Sequence, residues 1–597
     1  MFQISPEGFS LDGRPLRLLS GAMHYFRTHP EQWPHRLRML RAMGLNTVET
    51  YVPWNLHEPR PGAYDFSGLA DLDAFLRATA EAGLHAIVRP SPYICAEWEN
   101  GGLPWWLLAD RAMRLRVSDP AYLAHVERWF DCVVPVIARH QVTRGGNVLM
   151  VQIENEYGSY GSDRAYLEHQ AAALRERGID VPLFTSDGPD DFFLTGGALP
   201  GHLATVNFGD RAAEAFERLR AVRPDDPAMC MEFWCGWFDH WGEKHTVRAP
   251  EDAAATLGEI LGAGASVNIY MAHGGTNFGT WAGANRGGPR HAGAYQPTVT
   301  SYDYDAPIDE RGAPTPKFWA FREVLSRYAE QPPPEPEAMP PLLPPGRVEL
   351  GDPVRLFDAL DAVSTRRVHS PVPLSFEELG VGHGLVLYEA TVPGPRQAYP
   401  LTVEGLADRA HVYVDGRQVA VLERDGTQAG EAREAREVAA ATEVAVDGGG
   451  IRLGLLVESM GRVNYGPALG DRKGIAAVLH TQQYVHGWTM RTVPLDGPLP
   501  ELPRGTAAPK GPGPVFLRGC LEVEEPADTY LALPGGTKGY VWVNGFCLGR
   551  YWDRGPQVTL YLPWPLLRAG RNEVVVLELD GFDGAPAVEF RTRPELG

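Results

Sequence analysis

Cysteine is scarce: six in 597 residues, at positions 95, 132, 230, 235, 520 and 547, with no CxxC pair. That density cannot staple a chain this long, so a disulfide scaffold is excluded and reduced thiols are expected. No run of about 18 uninterrupted apolar residues occurs, which excludes a membrane-spanning helix. Basic residues are few beside acidic ones, 55 Lys and Arg against 75 Asp and Glu, for a formal charge of −20. A field of that sign repels phosphate backbones, so nucleic acid is not an expected partner. No HExxH or other tight histidine spacing is present, and neither a catalytic metal nor a cofactor is expected. The opening residues, MFQISPEGFSLDGRPLRLLSG, lack a basic segment followed by a long apolar one, so no secretory leader is expected and the expected address is cytoplasmic.

What is present is ordinary globular material, 44% hydrophobic and 22% charged, with 15 Trp. Eight short apolar segments recur in the first half, at 17–25, 47–54, 85–93, 148–157, 182–187, 204–209, 228–234 and 266–272. Helical stretches lie between most of them, such as 69–83 and 164–178, each closed by glycine. Eight βα repeats in about 330 residues predict an α/β fold, a (β/α)8 TIM barrel over residues 1–330. The competing arrangement, a doubly wound open sheet, needs a switch point that the sequence does not offer. A proline-rich linker follows at 331–345 and is expected to be a stiff, extended spacer. After it helical periodicity largely vanishes. HVYVDGRQVAVL at 411–422 echoes YVWVNGFCLGRY at 540–551, each an alternating strand pair around an Asp-Gly or Asn-Gly turn. Two all-β jelly-roll domains are expected, at 346–500 and 501–597. Such modules either bind sugars or buttress the barrel, and the sequence leaves both open.

Barrel enzymes carry their chemistry at the C-terminal ends of strands. The fourth segment ends in Gln152-Ile153-Glu154-Asn155-Glu156-Tyr157, the seventh in Met231-Glu232-Phe233-Trp234-Cys235-Gly236-Trp237. Strands four and seven face each other across a barrel mouth. Two carboxylates over an aromatic-lined pocket suit glycoside cleavage, which needs one protonated acid and one ionised partner. The competing structural reading has both glutamates satisfied by arginine or backbone partners. HGGTNFG at 273–279 superficially suggests a phosphate loop, but no Lys-Ser/Thr follows, so its small residues are expected to admit a ligand or a neighbouring loop.

The sequence resembles glycoside hydrolase family 35, the β-galactosidases with a retaining mechanism. GGNVLMVQIENEY at 145–157 matches that family's signature, except that Asn147 stands where Pro is usual. Asn147 lies nine residues before Glu156, roughly 30 Å away along an extended strand, and should not touch the chemistry. Further matches are ETYVPWN at 49–55, PYICAEW at 92–98, HGGTNFG at 273–279, SYDYDAP at 301–307, GRVNYG at 461–466 and VWVNG at 541–545.

The resemblance implies Glu156 as general acid/base and Glu232 as nucleophile, with a covalent galactosyl-enzyme between the two half-reactions. It implies that Tyr51, Cys95, Ala96, Glu97, Asn155 and Tyr304 hold the galactose. Tyr270 is expected among the substrate contacts, and Trp237 as a wall for the apolar sugar face. Trp234 and Tyr465 are candidates for the site beyond the cleaved bond, against the alternative of domain-interface packing. Glu97 can fix two hydroxyls at once, its competing assignment being a pair with Arg89. Glu154 is the rival of Glu156. Strand alternation puts Gln152, Glu154 and Glu156 on one face and Asn155 on the other, yet the family uses the equivalents of both Asn155 and Glu156, so the strand end is expected to bend or bulge.

The expected function is exo-acting removal of terminal β-galactose from oligosaccharides, with a β1,3 preference if Trp234 and Tyr465 form a narrow platform. An exo-β-glucosaminidase and a non-catalytic sugar-binding protein are the alternatives. The oligosaccharide is the expected partner, and a homodimer is the default assembly.

Overall fold

A computed structural model describes residues 1–425, 440–505 and 513–597. The eight apolar segments form a closed parallel barrel: β1 (Leu19–Met23), β2 (Thr47–Tyr51), β3 (His85–Arg89), β4 (Val148–Gln152), β5 (Leu183–Asp187), β6 (Leu203–Phe208), β7 (Met229–Trp234) and β8 (Ser266–His273). Consecutive strands pair, and β8 pairs back onto β1. Nearly every strand residue is buried, as parallel strands walled by helices on one side and filled on the other require. The predicted helices run over Leu72–Glu81 and Arg164–Glu176, capped by Asp71 on Ala74 N–H at 2.8 Å and by Asp163 on Tyr166 N–H at 3.1 Å.

Residues 1–16, unassigned by the sequence reading, make a small antiparallel sheet of Phe2–Ser5, Gly8–Leu11 and Arg14–Pro15. Phe2 and Phe9 pack with Leu149, Phe184 and Met231, plugging the barrel end opposite the strand C-termini. Asn147 sits at that same end, just before β4. Its amide donates to Thr79 Oγ1 at 2.6 Å and to the Leu84 carbonyl at 3.0 Å, and its backbone N–H to the His140 carbonyl at 2.8 Å. A proline could make none of these bonds.

The segment 331–345 runs extended but does not stand free. Arg322 donates to the Pro334 and Pro333 carbonyls at 2.7 and 3.1 Å, tying it to the barrel's flank.

Among the described residues the remainder is almost all β, in two units of two sheets each, with one α-helix at Leu356–Val363. One pairs a six-stranded sheet around Leu385–Val392 and Ile451–Glu458 with a four-stranded sheet around Arg396–Glu404. The other pairs a five-stranded sheet around Val515–Val523 and Gly570–Glu578 with a four-stranded sheet containing Thr529–Ala532. Both echoed hairpins are present. Their turn residues Asp415-Gly416 and Asn544-Gly545 have φ of 49°, 80°, 49° and 85°, the two positive values a tight I′ turn needs. The expected boundary at 346 differs in one respect. Gly346–Glu349 pairs with Ala587–Arg591 and Gly351–Arg355 with Val515–Val523, so the chain enters the C-terminal unit before building the first one.

The first β unit is locked to the barrel through charge. Fully buried Arg462 pairs with Glu99 of the barrel and with Glu377 of its own unit, and also donates to the Gly382 carbonyl at 2.9 Å. That clamp places the loop carrying Tyr465 at the barrel mouth.

Candidate active site

β4 stops at Gln152, and the chain then leaves the sheet through left-handed residues, Glu154 at φ 51° and Glu156 at φ 44°. Period-two alternation ends there, so Asn155 and Glu156 both reach the pocket while Glu154 turns away. The expected bend is therefore present, and it separates the two rival glutamates. Glu154 is fully buried and forked by Arg116 at 3.0 and 2.8 Å, with Tyr166 OH at 2.9 Å and the Asn155 N–H at 2.6 Å completing its shell. All its acceptor capacity serves structure.

Glu156 donates its backbone N–H to the Ser186 carbonyl at 3.0 Å, and its Oε1 accepts from Asn207 Nδ2 at 2.9 Å. The Ser186 hydroxyl in turn donates to Asn207 Oδ1 at 2.6 Å, which fixes the amide with its NH2 toward Glu156. Burial, then the neighbouring Glu232 charge, push the Glu156 carboxyl up to about 8, with the Asn207 bond opposing them. Asp187, at the end of β5, is likewise pushed by burial up to about 7.

β7 shifts register against both neighbours between Cys230 and Phe233, a bulge that aims Glu232 into the barrel mouth. Glu232 Oε1 forms an ion pair with Arg89 Nη1 at 2.7 Å and stands 2.7 Å from Tyr51 OH, while Oε2 accepts from Trp234 Nε1 at 3.2 Å. The Tyr51 hydroxyl, with one proton to give, also lies 2.8 Å from Asn155 Oδ1. Arg89 is the hub. Its Nε donates to Gln152 Oε1 at 2.6 Å, its Nη2 to Asn155 Oδ1 at 2.7 Å, and its guanidinium lies 3.9 Å over the Tyr51 ring.

Opposite, Cys95, Ala96 and Glu97 form three successive left-handed residues, at φ 58°, 59° and 48°. This strained ridge turns Glu97 inward. Glu97 Oε2 accepts from Tyr302 OH at 2.6 Å, and burial pushes its carboxyl up to about 7. The alternative pairing with Arg89 is not what forms, since Arg89 serves Glu232 and, at 3.7 Å, Glu49. The Cys95 thiol donates to Asn464 Oδ1 at 3.3 Å and is pushed far up by burial, so it offers shape and not a thiolate. Gly236 is required where it stands, because a Cβ would meet the Tyr304 carbonyl at 1.8 Å. Gly274 of HGGTNFG admits the Tyr302 carbonyl at the same distance, so that motif serves a neighbouring loop.

These groups enclose a cavity of about 400 Å³. All twelve residues named from the sequence line it: Tyr51, Cys95, Ala96, Glu97, Asn155, Glu156, Glu232, Trp234, Trp237, Tyr270, Tyr304 and Tyr465. Trp237 is 39% exposed and stands at 83° to Trp234, with ring centroids 5.6 Å apart, so it can present a flat face at the mouth. Tyr465 packs edge-on against His291 and comes from the first β unit, which thereby completes the pocket. Sequence reasoning missed Phe238, His240 and the 284–297 hairpin, which contributes Asn285, Arg286, His291 and Gln296 to the wall. It also missed Asn207, and it considered Arg89 only as a partner for Glu97. A lone arginine within the apolar run AIVRP and an asparagine ending β6 were the available signals. Among the described residues, no group of three or more His, Cys, Asp or Glu is arranged to hold a metal.

The barrel, residues 8–328, matches the family model for glycosyl hydrolases family 35. Residues 373–496 match the first all-beta domain of beta-galactosidase, and 514–572 its galactose-binding domain. The beta-galactosidase-1-like protein of Mus musculus is 42% identical over 98% of this chain and 91% of its own length. The beta-galactosidase of Xanthomonas manihotis is 42% identical, over 93% of this chain and 90% of its own. That of Homo sapiens is 40% identical, over 100% and 91%. One family model spanning more than half the length, together with relatives aligned nearly end to end, shows that the chain belongs to glycosyl hydrolases family 35.

Proposed function

We propose that this glycoside hydrolase is an exo-acting, retaining β-galactosidase with Glu156 as acid/base and Glu232 as nucleophile. The observation that carries the reading is the asymmetry of the pair. Glu156 is buried and pushed up to about 8, so it holds a proton at neutral pH, whereas Glu232 carries the Arg89 ion pair. Glu156 gives its proton to the glycosidic oxygen as Glu232 attacks the anomeric carbon, forming the galactosyl ester. Forming that ester neutralises Glu232 and removes its repulsion of Glu156, which favours the ionised Glu156 that must deprotonate water in the second half-reaction. Tyr51 and Arg89 orient the attacking carboxylate. Glu97, Asn155, Tyr270 and Tyr304 are suited to the sugar hydroxyls, and the Cys95–Glu97 ridge closes the pocket against a longer non-reducing end. The names of the aligned relatives support galactose as the sugar cleaved. A β1,3 preference follows if Trp234 and Tyr465 form a narrow platform for the first leaving-group unit.

The test is release of p-nitrophenol from β-D-galactoside, β-D-glucoside, β-D-glucosaminide and β-L-arabinoside, with Glu232→Gln as control. Galactoside cleavage abolished in Glu232→Gln is expected. Cleavage of the glucosaminide alone overturns the sugar assignment, and cleavage that survives Glu232→Gln overturns the mechanism.

A further inference from the structure

A second cavity, about 390 Å³, adjoins the first and shares Glu156, Trp234 and Tyr465 with it, but not Glu97, Tyr270 or Glu232. Its other walls come from the segments after β5 and β6, including Phe193, Asp190, Asp210, Glu214 and two arginines. We infer that this cavity receives the second sugar unit of a neutral oligosaccharide leaving group, an inference resting on the reading of Glu156 as the acid.

The argument begins at Glu156. Its Oε1 is taken by Asn207, so the glycosidic oxygen meets Oε2. The galactosyl unit fills the enclosed side, and the departing chain leaves past the three shared residues. The next space along that path is the second cavity, and its size falls within the range of about 300–1,000 Å³ usual for small-ligand sites.

The lining then selects by charge. Apart from Glu156, which holds its proton, three carboxylates, Asp190, Asp210 and Glu214, face two guanidiniums. Arg218 bonds Glu214 at 2.7 Å and pairs with Asp190, and Arg211 bonds Asp210 at 3.0 Å. Neither guanidinium is without a carboxylate partner, and the balance is negative, so a sulfate or uronate would be repelled. Hydroxyl and acetamido groups find both donors and acceptors there. Phe193, half-buried, offers an apolar ring face.

The test compares kcat/KM on a neutral β-galactosyl disaccharide, the neutral trisaccharide that adds one unit to its leaving group, and that trisaccharide sulfated on the added unit. The wild type should favour the neutral trisaccharide over the disaccharide by about 3- to 10-fold, the size of one aromatic packing contact. In Phe193→Ala that ratio should fall to near unity. The sulfated trisaccharide should be slower than its neutral parent. Asp210→Lys should raise the sulfated-to-neutral ratio, and the exposure of that side chain, 71%, makes folding indifferent to the change. Equal rates on the two neutral substrates in the wild type, an unchanged ratio in Phe193→Ala, or preference for the sulfated substrate each overturn the inference. Failure to cleave any β-galactoside would instead overturn the reading of Glu156 on which it rests.

Discussion

Asn207→Ala removes the 2.9 Å donor on Glu156 Oε1 and leaves the Ser186 hydroxyl without its acceptor. A hydrogen bond to a charged acceptor contributes about 1.5–3 kcal/mol, which is about 1–2 pH units of preference for the ionised carboxylate. Its loss should carry the Glu156 carboxyl upward from about 8. The two half-reactions then move in opposite ways. Glycosylation needs the proton, so the alkaline limb of kcat/KM should shift up by about 1–2 pH units. Deglycosylation needs the ionised form. In the galactosyl-enzyme the Glu232 charge is gone and Glu156 titrates lower than in the free enzyme, so the same loss should move the acid limb of kcat up by about 1–2 pH units and slow water attack most at pH values on that limb. The sign is fixed by the protonated state being the competent acid: activity persists below the folded value and is lost above it. The assay is a pair of pH–rate profiles: kcat/KM on a galactoside with a poor leaving group, whose departure needs the proton, and kcat on an aryl galactoside with a good one, which reports deglycosylation. An alkaline limb that stays in place while activity falls would reduce Asn207 to a packing residue and refute the reasoning.

Arg89→Lys keeps the charge but cannot reach Glu232, Gln152 and Asn155 together, so kcat/KM should fall by about 10²-fold or more with a lower Tm, read by kinetics and calorimetry. Glu154→Gln leaves the buried Arg116 guanidinium without its carboxylate and should cost about 3–5 kcal/mol in a denaturant titration, whereas Glu156→Gln should melt at or above the wild type while losing cleavage of poor leaving groups. Thermal stability should fall between about pH 7 and pH 8.5. Burial holds Glu49, Glu97, Asp187 and Asp303 up to about 7 and Glu156 and Glu310 up to about 8, while the buried histidines His24, His35, His57 and His273, held below their ordinary value, oppose them only up to about pH 7; above it the folded chain binds more protons than the unfolded one and loses stability as pH rises. Glu458, which burial alone would raise, is held near 2 by Lys538 and Arg550 and acts in the other direction only below about pH 4. A Tm that rises from pH 7 to pH 8.5 would contradict this.

The eight barrel strands were legible because each is short, apolar and punctuated, and strand ends are where a barrel displays its chemistry. The pocket residues were legible because they sit in the motifs at those ends, and the bend at Asn155 followed from two adjacent residues being needed on one side. What stayed hidden depends on pairings between distant segments. Gly351–Arg355 finds its partner in Val515–Val523, more than 150 residues away, and nothing local marks that choice. Arg89 and Asn207 act through carboxylates on other strands, so their roles emerge only when β3, β4, β6 and β7 are side by side. The 284–297 hairpin carries no periodic signal strong enough to place it over the mouth.

The most direct measurement is mass spectrometry of the enzyme after reaction with 2-deoxy-2-fluoro-β-D-galactosyl fluoride, whose fluorine slows the second half-reaction and lets the ester accumulate. The account predicts one sugar adduct per chain, on the peptide containing Glu232. An adduct on Glu154 or Glu156, or turnover of galactosides with inverted product and no adduct, would contradict it.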